Sequence, residues 1–174
     1  MSRIETAEKA APHAGLLRWL RDQAVEFELR EHPLTFTARE TAEAEGIDPV
    51  RFAKVVAVEM ADGARALIVV DASDQVDLRK VGGVLGGPVR LLRESDLLEL
   101  APDCAAGTIP PVGELFGVRV LADRAVHEDP VITFHAGTHR HTVTVDEASW
   151  ERAARVVLAD LAVERERVPA WARS

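Results

Sequence analysis

Two apolar runs set on either side of a tight turn constrain the fold of this chain more than any other feature. Lys54 to Met60, continuously apolar from Val55 to Val58, and Leu67-Ile68-Val69-Val70 are rich in β-branched residues at consecutive positions, as strands buried on both faces are. Between them Ala61-Asp62-Gly63-Ala64 supplies an Asp-Gly turn signal,. The pattern predicts a hairpin of two central strands. The remaining elements have to cover both of its faces.

The flanking segments alternate between helical and extended patterns. Leu16, Leu17, Trp19 and Leu20 predict a helix over Gly15 to Gln23, and Val25, Phe27 and Leu29 alternate with charged residues like a half-buried strand,. Thr37 followed by Glu40 has the form of a capping box, which predicts a helix from Ala38 to Glu45 stopped by Gly46,. Asp48-Pro49 reads as a further helix start,. Asp77 to Leu85 predicts a helix stopped by Gly86-Gly87, Val89 to Leu92 a short strand, and Glu94 to Leu100 a short helix. Arg119-Val120-Leu121, Val131 to His135 and Thr142 to Val145 predict strands returning to the sheet. Trp150, Ala153, Ala154, Val157, Leu158 and Leu161 predict one amphipathic helix from Asp146 to about Leu161,. The expected fold is a single α+β domain whose mixed, largely antiparallel sheet is covered by helices. Residues 1–14 lead into a domain spanning 15–161, and residues 162–174 form a charged tail, expected to be loosely held.

With 174 residues, 47% of them hydrophobic, the chain can bury one sizeable core,. Its formal charge of −8 argues against broad, backbone-driven binding to duplex nucleic acid, DNA included, but leaves room for grasping one RNA end,. The single cysteine, Cys104, rules out an internal disulfide framework and a thiolate zinc site and fits a reducing compartment,. No secretory leader and no apolar run near membrane-spanning length is visible, so a cytoplasmic protein without a membrane partner is expected.

The basic residues are nearly all arginine, the lysines being Lys9, Lys54 and Lys80. Lys54 opens the first strand of the predicted hairpin. Either its stem covers core while the ammonium reaches water, or the charge binds an anion and stabilises a developing oxyanion. Position alone leaves both open. Gly107-Thr108-Ile109-Pro110-Pro111-Val112-Gly113 packs two glycines and two prolines into one short stretch. It reads as a stiff crossover, or as a cradle whose pre-aimed backbone groups hold a polarised carbonyl. His135, His139 and His141 invite a metal, yet Arg140 sits among them, and exposed loop histidines are the plainer reading,. There is no nucleophile elbow and no common phosphate-binding glycine loop. Nothing local marks Cys104 as an activated nucleophile.

The ordered set of motifs does more than any one of them. His32-Pro33 with Phe36-Thr37-Ala38-Arg39-Glu40 and Ala42-Glu43 comes first, then Ala53-Lys54-Val55-Val56 and Gln75-Val76-Asp77-Leu78. Gly107 to Gly113 and Ala136-Gly137-Thr138-His139 complete it. Over about residues 15–161 this resembles the YbaK/ProX-type aminoacyl-tRNA deacylases, domains that also occur as the editing insertion of bacterial prolyl-tRNA synthetases. The resemblance implies a free-standing hydrolase that removes a wrong, small amino acid from the 3′ end of a tRNA. It implies no metal, no cofactor and no protein nucleophile: water attacks the ester, assisted by the substrate's own ribose hydroxyl. Lys54 matches the family's active-site lysine and Gly107 the glycine beside the scissile carbonyl. Thr37, Thr108, Ile109, Pro110, Pro111, Gly113, His135 and Gly137 are the expected substrate-binding residues, Thr37 being both a helix cap and an entrance residue.

No synthetase or anticodon-binding module is visible, so help from an aminoacyl-tRNA synthetase is expected in trans. Two other readings remain: a domain of the same fold that binds an aminoacyl, nucleotide or tRNA end without turnover, and a metal-dependent enzyme built on the histidine loop.

Overall fold

A computed structural model describes residues 11–48 and 51–164. Helix α1 (Ala14–Asp22) opens the described chain, followed by β1 (Phe27–Glu31) and α2 (Ala38–Glu45). The hairpin is β2 (Ala53–Met60) and β3 (Arg65–Asp71). Next come α3 (Leu78–Leu85), β4 (Val89–Leu91), α4 (Glu94–Leu100) and a 3-10 turn, Gly113–Leu115. The last elements are β5 (Arg119–Asp123), α5 (Arg124–His127), β6 (Val131–His135), β7 (His141–Asp146), α6 (Glu147–Ala153) and β8 (Val157–Ala159).

The strands divide between two sheets, one of three strands ordered β1-β7-β6 and one of five ordered β4-β2-β3-β5-β8. The central hairpin forms as its turn residues dictate: Gly63 takes φ +90°, and the Met60 N–H donates to the Ala64 carbonyl at 2.8 Å. Lys54 pairs with Val70, and β5 and β8 then add in parallel. Both faces of β3 are buried. Leu67 and Val69 join a core with Leu16, Trp19, Phe134 and Trp150, whereas Ile68 and Val70 face a second cluster with Val81 and Leu121. That double burial explains the unbroken apolar run.

Helix limits follow local chemistry. Thr37 accepts the Glu40 N–H and Gly46 closes α2 in the left-handed region at φ +69°,. Asp77 and Gly86 do the same for α3. Part of the helix start expected at Asp48-Pro49, namely Pro49, lies outside the described residues, as does most of the expected tail. The chain is still attached at Val163, whose N–H donates to the Gln75 carbonyl at 2.8 Å.

Two expectations are corrected. The helix expected from Asp146 to Leu161 ends at Ala153. Arg155 adopts φ +53°, and Val157–Ala159 becomes an edge strand parallel to β5. The apolar residues of helix and strand fall at spacings that together imitate one helical stripe, yet Val157 is 41% exposed and Trp150 and Leu161 belong to different core clusters. The first strand is also less buried than its alternation suggests. Val25 is in the core, but β1 is an edge strand and Leu29 remains 40% exposed.

An isolated bridge joins the sheets, Phe52 pairing in parallel with Thr133, and the Thr133 N–H reaches the Arg51 carbonyl at 3.4 Å. The beginning of β2 is thereby set beside β6.

Candidate active site

At that junction a cleft of about 230 Å³ opens. Ala53, Lys54, Val55 and Val56 form one wall, Phe36, Thr37, Ala38 and His135 another, and Gly107 with Ile109 the third. A second, more apolar cleft of about 210 Å³ shares Val55, Val56, Gly107 and Ile109 and extends to Leu91, Leu92 and Leu97. A shallower groove of about 950 Å³ lies at the turn end of the hairpin, lined by Gly63, Ala64 and Phe116 among others. Arg65 in that groove is already held by Glu59 at 2.7 Å, and although Glu114, Arg119 and Arg155 also line it, none of the site residues expected from the sequence does.

Lys54 is half-buried, and its Nζ donates to the Asp74 carbonyl at 2.5 Å. An ammonium has three donors, so this contact aims the group without exhausting it. Burial pulls the lysine pKa below its ordinary value, and the charge of Asp74 partly opposes the shift. The result is a positioned, incompletely solvated cation.

Gly107 has φ +80°, and a Cβ built on it would meet nothing within 4 Å. Its glycine is therefore demanded by backbone conformation, and the absent side chain leaves space open at the cleft.

His135 is 4% exposed, with Nε2 at 2.9 Å from the Thr41 hydroxyl. That hydroxyl also donates to the Thr37 carbonyl at 2.9 Å and lies 2.6 Å from the Thr35 hydroxyl. The imidazole packs edge-on against Phe52, with ring centres 5.2 Å apart. Burial, reinforced by His139 and His32, pushes its pKa down to about 3. At neutral pH it offers hydrogen bonding without charge.

Of the expected site residues, Lys54, Gly107, Thr37, Ile109 and His135 line the cleft. Thr108, Pro110, Pro111, Gly113 and Gly137 stand outside its lining. Thr108 is fully buried and donates its hydroxyl to the Ala105 carbonyl at 2.7 Å. The Gly137 N–H donates to the Thr108 carbonyl at 3.0 Å, tying the two glycine-containing loops together. Pro111 accepts the Trp150 indole N–H at 2.8 Å. A Cβ on Gly113 would sit 2.0 Å from the Val118 carbonyl oxygen, so this glycine serves chain packing.

Phe36, Ala38, Ala53, Val55 and Val56 are lining residues that the sequence did not single out individually. Phe36 remains 66% exposed at the rim; an aromatic next to the capping threonine was the available signal. The histidines differ from the exposed loop residues expected: His135 and His141 are buried, and His141 Nδ1 lies 2.7 Å from the Thr138 hydroxyl. Among the described residues, these histidines form no group placed to hold a metal. Cys104 is buried within the main core.

Residues 32–153 match the aminoacyl-tRNA editing domain family. The chain belongs to that family. This editing domain has the fold of solved structures with low sequence identity. The hypothetical protein APE2540 superposes with a TM-score of 0.79 at 20% identity, over 85% of this chain and 99% of that one. A protein described as a candidate trans-editing enzyme for prolyl-tRNA synthetase gives 0.75 at 24% identity, over 86% and 95%. No curated protein matches significantly. Among the described residues no helix of the editing domain is long and apolar enough to cross a membrane.

Proposed function

We propose that the cleft hydrolyses the ester of a mischarged aminoacyl-tRNA, releasing a small amino acid and free tRNA. The observation that carries this reading is that Lys54 and Gly107 wall one small cleft in a chain of the editing family. The terminal nucleotide and its aminoacyl group enter beside Lys54, whose ammonium holds electron-rich oxygen. The open face of Gly107 admits the scissile carbonyl close to the backbone. Water adds to the carbonyl carbon, the tetrahedral intermediate collapses, and the ribose oxygen leaves with a proton. The substrate's neighbouring ribose hydroxyl assists, and no protein nucleophile or metal takes part. Positioning and fixed dipoles supply the acceleration. Neutral His135 and Thr37 border the aminoacyl group, and the buried Thr108 to Gly113 segment keeps Gly107 and Ile109 in place.

The formal charge of −8 sets a limit on affinity. An enzyme that reads only the tRNA end makes few phosphate contacts, so binding is modest and salt-sensitive. Handover from an aminoacyl-tRNA synthetase in trans would offset that weakness.

The test is release of labelled amino acid from a panel of correctly and incorrectly charged tRNAs, with wild type beside Lys54→Ala. Turnover by wild type and loss in the variant are expected. If every charged tRNA is bound but none is hydrolysed, the domain is a binding module, and the catalytic reading falls.

A further inference from the structure

A separate cluster of ionisable side chains lies between α5 and α6. His127 ends α5, Glu147 begins α6, and Glu151 follows one turn later. The four-residue spacing brings both carboxylates to one helix face. His127 Nδ1 is 3.3 Å from Glu147 Oε2 and 2.6 Å from Glu151 Oε2. One ligand atom from each residue lies within 4.8 Å of the others.

The second observation concerns Glu147 alone. The residue is 2% exposed, and its other oxygen, Oε1, is buried without a hydrogen-bond partner. A buried carboxylate oxygen is costly to leave charged, and either a proton shared with the neighbouring Glu151 or a cation held between the two carboxylates relieves that cost,. The exposed His127 ring leaves a route from solvent.

We propose that His127, Glu147 and Glu151 bind a first-row divalent transition-metal ion, zinc foremost, that clamps α5 to α6. Two carboxylates balance the dication and the imidazole favours zinc over magnesium. Three protein ligands leave a fourth position for water. Ligand atoms of a tetrahedral zinc are about 3.3 Å apart, the separation already found between His127 and Glu147. The closer His127–Glu151 contact is a hydrogen bond. Binding replaces its proton with the metal, and the exposed imidazole moves outward by a fraction of an ångström. Glu147 and Glu151 flank Trp150 on α6, so the clamp fastens the helix whose indole grips Pro111.

The test uses chelator-treated full chain titrated with zinc chloride by calorimetry, with cobalt chloride as an optical probe and thermal melting alongside. Expected are one zinc per chain, a raised melting temperature, and affinity lowered at least about tenfold in both His127→Ala and Glu151→Gln. His127→Ala, at an exposed position, preserves the fold and keeps the test informative. Absence of saturable binding up to about 1 mM zinc, or unchanged affinity in His127→Ala, overturns the site.

Discussion

Trp150 on α6 donates its indole N–H to the carbonyl of Pro111 at 2.8 Å, and both residues are buried. The proline loop is thus fastened from behind by a helix distant in sequence, while Gly107 and Ile109 at its other end line the cleft. Trp150→Phe removes the donor and leaves the Pro111 carbonyl unsatisfied, with an expected loss of about 1–3 kcal/mol. Chemical denaturation measures this. Deacylation at a temperature where the variant stays folded should fall as well, and an unchanged rate there would separate the brace from the site.

Lys54→Ala should lower deacylation by about 100- to 1,000-fold, the scale of losing one electrostatic stabiliser in a dry site. Its half-buried stem contributes little packing, so circular dichroism should show an intact fold. Lys54→Arg should fail to restore the rate, because a planar guanidinium cannot reproduce the ammonium's contact with Asp74. A wild-type rate in Lys54→Ala would remove the catalytic assignment.

Two glycines of the same loop should respond differently. Gly107→Ala imposes a left-handed conformation on a residue with a side chain, costing about 1–2 kcal/mol, and places a methyl group in the open cleft. Its activity should drop further than its stability. Gly113→Ala meets the Val118 carbonyl oxygen at 2.0 Å and should yield little folded protein. Comparing soluble yield, melting temperature and rate for the pair checks both expectations.

His135 gives stability a definite pH dependence. Its pKa is near 3 in the folded chain, against about 6.5 when unfolded. Between these values the unfolded chain takes up a proton that the folded chain does not. This contribution is neutral above about pH 6.5 and grows more destabilising as pH falls, by up to about 1.4 kcal/mol per pH unit, levelling near the folded value. Urea denaturation across that interval should show a smaller slope for His135→Gln than for wild type; identical slopes would show that the imidazole takes up its proton without unfolding.

The hairpin, the α2 cap at Thr37 and the stop at Gly46 were legible because each rests on local chemistry: β-branched runs, a hydroxyl cap and a left-handed glycine. The breakpoint at Arg155 was not legible. Nothing in its type announces φ +53°, and the pairing of Val157 with Leu121 that rewards it depends on a partner far away in sequence. The same limit applies to the site. Lys54, Gly107 and His135 could be named from motif order, but their convergence requires the sheet-to-sheet contact at Phe52 and Thr133. Likewise Thr108 and Gly137 look like ligand-facing loop residues in one dimension, whereas in three dimensions they bond to each other. The His127, Glu147 and Glu151 group was invisible because α5 is a single turn with no periodic signal.

The Phe52–Thr133 bridge makes the cleft behave like the gap of a calliper. One jaw is the start of β2 that carries Lys54, the other the β6 end that carries His135, and the bridge is the pivot that sets their separation. Substitutions at that pivot can widen or narrow the opening while leaving every lining residue as it is. Under the proposed deacylase reading, selectivity for the size of the amino acid becomes adjustable from two positions outside the cleft lining.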